Sequence, residues 1–170
     1  MIMLRSRIIP CLLVKNKGLV KTVNFKDPKY VGDPINAVKI FNEKLVDELI
    51  VLDIDASQEG RDPDYKMIEN LATECRMPFC YGGGIKTVEQ AVKISNLGVE
   101  KIAISSAAIT NPSLLTELAD AIGRQSVVVV FDVRKTMFGG YDAFIYNGKT
   151  KVKADFFKLL KEVESLGAGE

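Results

Sequence analysis

One carboxylate in the sequence is placed where an acid–base group would be useful. Asp132 closes a run of four valines and a phenylalanine, so an ionisable group directly follows an apolar strand. Burial of this kind raises the pKa of a carboxyl group and can suit it to proton transfer. The chain has no histidine, so acid–base chemistry must use carboxylates, lysine, tyrosine or cysteine. The alternative is a structural acid paired with Arg134 or Lys135, and the sequence leaves both interpretations open.

Two neighbouring segments could together bind an anion such as a phosphate. The stretch "YGGGIKT" places Gly83 and Gly84 after an apolar strand and just before a helix, where bare main-chain N–H groups can hold phosphate oxygens. The stretch "ISSAAITNP" places the hydroxyls of Ser105 and Ser106 at the end of the next strand. The alternative is a tight turn and a serine-rich helix start without a ligand.

A long basic segment follows the first strand. Residues 16–32 have no strong period and carry four lysines, among them Lys21. A basic loop of this length over a site suggests a lid for an anionic substrate. A solvated loop without a function is the competing interpretation.

Four charged residues of alternating sign begin strands or close the chain. Because Arg7, Glu48, Lys101 and Glu170 each stand where a strand starts, we expect them to gather at one end of the fold and to pair. Such a ring is usually a plug that contributes to stability.

The candidate residues can meet only if the strands that carry them lie side by side and end at the same edge of a sheet. Short runs rich in Val, Ile and Leu are continuously apolar, as in parallel strands buried on both faces. The predicted strands are Ile8–Lys15, Glu48–Ile54, Pro78–Gly82, Lys101–Ser105 and Ser126–Val133.

Segments of helical period alternate with these strands, and several begin at capping signals such as "DPIN" and "TVEQ". This order predicts an α/β fold with right-handed crossovers and a parallel sheet. The predicted helices are Asn36–Leu45, Pro63–Cys75, Val88–Leu97, Pro112–Ala121 and Lys153–Leu166.

An internal repeat favours a barrel over an open sheet. "IIPCLLVK" aligns with "VVVVFDVR", which pairs Leu13 with Asp132. Two copies of roughly 120 residues approach the ~250 of a (β/α)8 barrel of the TIM type. We therefore predict one incomplete barrel domain over residues 1–170, about the first five βα units of two half-barrels. The first half-barrel spans about 1–123, and the start of the second spans about 124–170.

Composition gives information on the binding partners, the cellular location and the metal content to expect. A net charge of +1 gives no reason to expect a nucleic acid or an anionic membrane. Three cysteines in or beside apolar runs suit buried thiols and a cytoplasmic location. The sequence predicts no metal site and no cofactor.

The motifs "RIIPCL", "DELIVLDIDAS", "PFCYGGGI", "TNPSLLTELA", "FDVRK" and "ESLGAGE" resemble the cyclase subunit of imidazole glycerol phosphate synthase over the whole chain. The resemblance implies a barrel that takes ammonia from a glutaminase partner at its N-terminal face. It also implies a phosphorylated ribonucleotide substrate and two products, imidazole glycerol phosphate and aminoimidazole carboxamide ribonucleotide, in histidine biosynthesis.

The resemblance also assigns roles to residues. The implied phosphate site matches Gly84, Ser105 and Ser106, and the implied ammonia gate is the ring of Arg7, Glu48, Lys101 and Glu170. One of two acid–base aspartates matches Asp132. The other position holds Leu13, which cannot transfer a proton, so the cyclase step is in question.

Two alternatives follow from this departure. One is a paralogous barrel that channels ammonia to a sugar-modifying amidotransferase in surface-polysaccharide biosynthesis. The other is a non-catalytic fragment whose open sheet edges lead it to self-associate.

Overall fold

In a computed structural model of the protein, which describes residues 5–137 and 139–170, five parallel strands make up one side of a seven-stranded sheet. They lie side by side in chain order, with register pairs such as Leu13 with Leu52 and Gly82 with Ala103. These strands are β1 (Cys11–Lys15), β4 (Leu49–Asp53), β5 (Phe79–Gly82), β6 (Lys101–Ile104) and β7 (Val127–Val129).

Helices connect the parallel strands and pack on one face of the sheet. The capping signals act as predicted: the Asp33 side chain accepts from the N–H of Asn36, and Thr87 and Gln90 form a capping box. The helices are α1 (Pro34–Lys44), α2 (Tyr65–Glu74), α3 (Val88–Asn96), α4 (Ser106–Thr110), α5 (Ser113–Ile122) and α6 (Phe156–Leu166).

The sheet has two apolar faces. The main core lies between the strands and the helices and includes Val14, Val51, Tyr81 and Ile102. On the opposite face, a smaller cluster consists of Cys80, Ala103 and Val128, with Leu52 packed against it. This architecture confirms the predicted α/β fold, with parallel strands and connecting helices as in part of a barrel of the TIM type. The predicted division near residue 123 stays a prediction.

The segment predicted as a long loop is a β-hairpin, so that prediction was wrong. Strand β2 (Gly18–Val23) pairs antiparallel with β1, and β3 (Lys26–Gly32) pairs antiparallel with β2 at the edge of the sheet. Non-glycine residues with positive φ, Asn16 (48°) and Lys17 (65°), make the tight turn that starts the hairpin.

The fifth predicted strand, Ser126–Val133, is also corrected. It is interrupted after β7, and its end belongs to a separate three-stranded sheet. That sheet consists of β8 (Asp132–Lys135), β9 (Tyr141–Ile145) and β10 (Thr150–Lys151). On the other side of β7, the N–H of Val129 donates to the carbonyl of Glu170 at 2.8 Å, so the last residues continue the main sheet.

Candidate functional site

A cavity of about 160 Å³ lies where the parallel strands end. Six of the residues singled out from the sequence line it: Leu13, Gly83, Gly84, Ser105, Ser106 and Asp132. Convergence follows from the fold, because the carboxyl ends of parallel strands lie at one edge of the sheet.

The glycine segment approaches the backbone of the neighbouring loop. Gly83 has a φ of 125° and Gly84 a φ of 74°. A Cβ on Gly83 would meet the main chain of Asp53, and one on Gly84 would meet the carbonyl of Arg61. Both positions therefore require glycine, for conformation and for space. The Gly84 N–H donates to Ser57 Oγ at 3.2 Å, which ties this segment to the loop after β4.

The loop after β4 is held by a buried carboxylate. Asp53 Oδ1 accepts from the N–H groups of Asp55 and Ala56, both at 3.1 Å. Arg61 pairs with Asp53 at 3.4 Å and also with Glu59. The Glu59 hydrogen bond is the largest cause that raises the pKa of Arg61. The loop is thus a fixed wall of the cavity.

Ser106 is buried, and its hydroxyl has a defined partner. The main-chain N–H of Tyr146 donates to Ser106 Oγ at 3.0 Å. A hydroxyl that accepts one hydrogen bond keeps its own proton to donate. Ser106 can therefore donate to an anion in the cavity that it lines with Ser105.

Asp132 is half-buried at the start of β8. Burial raises the pKa of its carboxyl group, whereas the Gly148 N–H, which donates to Oδ2 at 3.0 Å, and the charge of Arg134 act to lower it. Arg134 lies close by, with its guanidinium over the Phe144 ring. The contact to Gly148 fixes one carboxylate oxygen and leaves the other for exchange of a proton.

Leu13 contributes an apolar wall to this cavity. Two residues further along β1, Lys15 pairs with Asp55 at 3.0 Å, and both lie outside the residues that line the cavity. The site as described thus contains Asp132 as a carboxylate with a raised pKa, and a hydrocarbon side chain where the resemblance expects a second acid.

The predicted lid residue Lys21 does not line the cavity. It lies exposed on β2 and pairs in register with Lys29 on β3. The hairpin reaches the cavity through Thr22 and Phe25 instead. A lid role for Lys21 stays a prediction.

Sequence reasoning missed the turn that closes the cavity from the second sheet. Tyr146, Asn147 and Gly148 all have positive φ values, 54°, 57° and 72°. Asn147 Nδ2 donates to the Ile54 carbonyl at 2.6 Å, and Gln58 contacts both the Tyr146 carbonyl and Lys149. An Asn-Gly pair between two short strands is a strong hairpin signal and could have revealed this turn.

At the other end of the sheet, the four charged residues form a closed ring of ion pairs. Arg7 contacts Glu48 at 3.2 Å and Glu170 at 2.7 Å. Lys101 contacts the same two carboxylates at 2.8 and 2.9 Å. Each charge in the ring thus has two partners of opposite sign.

The ring stabilises the charged forms of Lys101 and Glu170. Burial opposes the charge of Lys101, but its bonds to Glu48 and Glu170 outweigh burial and raise its pKa. Burial likewise opposes the charge of Glu170, and Lys101 and Arg7 outweigh it and lower that pKa.

The face between the ring and the cavity is apolar. Cys80, Ala103 and Val128 form its centre, and Leu52 and Val130 pack against them towards the cavity. Burial raises the pKa of the Cys80 thiol to about 12, so the thiol is uncharged at neutral pH. Cys11, in contrast to the predicted buried thiol, is exposed.

In the part of the chain that the structure describes, no cluster of three or more His, Cys, Asp or Glu side chains is arranged to hold a metal ion. None of the described helices combines the length and apolar character needed to cross a membrane.

Comparison with known proteins assigns the chain to a family. The model of a family described as "Histidine biosynthesis protein" matches residues 7–170. The chain belongs to this family. The resemblance drawn from the sequence motifs is therefore confirmed at the level of the family.

Individual relatives cover nearly the whole chain. A protein of Vibrio vulnificus, provisionally named imidazole glycerol phosphate synthase subunit hisF3, is 60% identical over 169 residues, 99% of this chain and 65% of its own length. A provisionally named subunit hisF2 of Pseudomonas aeruginosa is 55% identical over 168 residues, again 99% of this chain and 67% of its own length. Imidazole glycerol phosphate synthase subunit HisF of Streptococcus sanguinis is 40% identical over 168 residues, with the same coverage of both chains. The chain thus spans 65% to 67% of the length of these relatives.

Proposed function

We propose that the chain belongs to a cyclase subunit of the imidazole glycerol phosphate synthase type, acting in histidine biosynthesis. In this proposal ammonia from a glutaminase partner reacts with a phosphorylated ribonucleotide, forming imidazole glycerol phosphate and aminoimidazole carboxamide ribonucleotide. The observation that carries it is the division of the fold into a cavity with glycine, serine and aspartate in its wall at one end of the strands and a closed charged ring at the other. A cytoplasmic location belongs to the same proposal.

The glycine and serine segments support a phosphate site in the cavity. Gly83 and Gly84 bring bare backbone to its wall, and the Ser106 hydroxyl keeps a proton to donate because it accepts from Tyr146. A phosphorylated substrate would be held here. Asp132, the first residue of β8, lines the same cavity and could take a proton from the substrate or give one to it.

The ring and the apolar face support passage of ammonia. We propose that Arg7, Glu48, Lys101 and Glu170 form a gate and that the glutaminase binds at this end. Beyond the ring, Cys80, Ala103 and Val128 offer no charge. An uncharged surface favours neutral ammonia over ammonium, because a charged ion loses its hydration there.

A specific departure supports a second candidate, a paralogue that supplies ammonia to a sugar-modifying amidotransferase in surface-polysaccharide biosynthesis. Leu13 cannot transfer protons, while the ring at the other end has all four members paired. The chain is also more similar to the provisionally named hisF3 and hisF2 proteins, at 60% and 55%, than to the Streptococcus sanguinis subunit HisF, at 40%.

Ammonia-dependent cyclase turnover distinguishes the two candidates. It should be measured on the full natural polypeptide that carries these residues, beside Leu13→Asp and the matched control Leu13→Asn. A catalytic carboxylate contributes on the order of 10² to 10⁴ in rate. If the cyclase chemistry is retained but impaired, Leu13→Asp should raise turnover by that factor, whereas Leu13→Asn, of the same shape but without an acid, should not.

The other outcomes are equally decisive. Normal turnover by the unmodified protein would mean that Asp132 carries the proton transfers without a partner at position 13. No turnover by any of the three proteins would contradict the cyclase proposal and leave the second candidate.

A further inference from the structure

We propose that Asn147 is a positioning residue: by fastening the Tyr146–Gly148 turn to the end of β4, it orients both the anion-binding hydroxyl of Ser106 and the acid–base carboxylate of Asp132. The inference rests on the proposed function, because it takes these two side chains as the working groups of the cavity. Its test, however, needs no turnover.

One short turn serves both side chains. The N–H of Tyr146 donates to Ser106 Oγ, and the N–H of Gly148 donates to Asp132 Oδ2, each at 3.0 Å. Since these donors are two residues apart in the chain, a displacement of the turn moves both contacts together. The turn therefore couples the anion site to the acid–base group.

Each of the two contacts leaves its side chain free to act: Ser106 can still donate a hydrogen bond, and Asp132 can still exchange a proton. Ser106 accepts from the turn, so its proton points elsewhere and can reach an anion. Asp132 has one oxygen bound to Gly148 and a second oxygen free for a substrate proton. Rigid support of this kind lets a site act without reorganisation when the ligand arrives.

The turn needs an external hold because its backbone is strained. Tyr146 and Asn147 have φ values of 54° and 57°, a region that side chains other than glycine adopt at a cost. Asn147 supplies the hold, since its amide donates to the Ile54 carbonyl at 2.6 Å across 93 residues of sequence. Asn is also the side chain that best tolerates this conformation after glycine.

A second tether comes from the same wall. Gln58 Nε2 contacts the Tyr146 carbonyl at 3.4 Å, and Lys149 Nζ donates to Gln58 Oε1. On the other side, Arg134 Nη2 donates to the Gly148 carbonyl at 3.0 Å. The turn is thus fastened from β4, from the loop before α2 and from β8.

The charged groups around Asp132 make Asn147 the cleaner probe. Arg134 lies beside the carboxylate, and Asp53 lines the same cavity while paired with Arg61. A change at Arg134 would alter charge and position together. Asn147 carries no charge, so its removal tests position alone.

The experiment compares the unmodified protein with Asn147→Gly and with the control Asp142→Asn. Glycine keeps the positive φ and removes only the amide. Asp142 lies on β9 of the same small sheet, paired with Lys151, and outside the cavity lining. Two quantities are measured by NMR: the affinity for inorganic phosphate, and the pKa of Asp132 from its labelled carboxyl carbon.

We expect Asn147→Gly to weaken phosphate binding by about tenfold, the equivalent of one lost hydrogen bond. The pKa of Asp132 should rise, because the Gly148 N–H no longer stabilises the carboxylate. Asp142→Asn should change neither quantity. A Gly variant that matches the unmodified protein in both would overturn the proposal.

Two further results are distinguishable from failure of the proposed function. If no protein binds phosphate, the anion site is wrong, and the titration of Asp132 alone decides on Asn147. If Asn147→Gly does not fold, Gln58→Ala removes the second tether instead. Gln58→Ala should also weaken phosphate binding and raise the pKa of Asp132, each by less than is expected for Asn147→Gly. The absence of any shift would overturn the inference.

Discussion

The two ends of the strands treat polar side chains in opposite ways. At the ring end, every charge is satisfied by another side chain: Glu48 and Glu170 each bind both Arg7 and Lys101. At the cavity end, Ser106 and Asp132 are satisfied only in part, by main-chain N–H groups of one turn. One end is closed by its own charges, whereas the other keeps hydrogen-bonding capacity for a ligand.

This difference separates stability from chemistry along a single set of strands. Glu48 is the buried member of the ring, and its removal takes one partner from Arg7 and one from Lys101, whose side chain is only 15% exposed. Polar side chains that lack some of their hydrogen bonds make the cavity end less stable than a fully paired one. A ligand can bind through the donors and acceptors that are left free. The contrast predicts where substitutions cost stability and where they change binding.

The largest expected effect is at the ring. Glu48 has a side chain only 4% exposed between Arg7 and Lys101, so Glu48→Gln should lower the free energy of unfolding by about 3–5 kcal/mol. The matched control is Glu170→Gln, whose side chain is 36% exposed and whose loss should cost about 1 kcal/mol or less. Urea unfolding of the two variants measures both. Equal costs would show that burial does not distinguish the two carboxylates.

A smaller effect is expected where the cavity depends on backbone. In Gly83→Ala, the new Cβ would meet the Asp53 main chain at a φ of 125°, at a cost of about 2–3 kcal/mol. Gly60→Ala is the control, because Gly60 has a φ of 66° with nothing within 4 Å, so only the backbone strain of about 1 kcal/mol remains. Thermal or urea unfolding gives the difference. A Gly83 variant as stable as the Gly60 variant would mean that the loop after β4 moves aside freely.

The elements that carry these two ends were largely visible in the sequence. Apolar runs ended by Asp53 or Gly82 marked the parallel strands, and Thr87 with Gln90 marked a helix start, because these signals are local. The placement of Arg7, Glu48, Lys101 and Glu170 together follows from strand starts alone.

The β2–β3 hairpin and the long-range contacts of the cavity-closing turn could not be predicted from the sequence, for physical reasons. Strand β3 is exposed at all but its last residue, so it has no alternating apolar face to reveal it. The cavity-closing turn acts through contacts to Ser106, 40 residues away, and to Ile54, 93 residues away. Such contacts depend on the folded arrangement, and the strained φ of Tyr146 is a consequence of that arrangement rather than of its residue type.

The smallest expected effect is the pH dependence of stability caused by Asp132 at the cavity end. Burial raises the pKa of Asp132, so ionisation of this carboxyl group lowers the free energy of unfolding. The stabilisation associated with this group is complete below its ordinary pKa of 3.8 and is lost as the pH rises through its folded-state pKa. Asp132→Asn cannot ionise and should gain stability over the unmodified protein as the pH rises from 4 to 7.

The measurement is the difference in free energy of unfolding between the two proteins at each pH, with Asp142→Asn, at a partly exposed position outside the cavity lining, as a control for the loss of one acidic charge. The expected result is a stability gain that grows with pH for Asp132→Asn and that Asp142→Asn does not reproduce. If the difference falls instead, the Gly148 N–H and Arg134 outweigh burial, and the carboxylate is stabilised in its charged form. The cavity end would then satisfy its acid as fully as the ring satisfies Glu48, and the contrast between the two ends would rest on the glycine and serine segments alone.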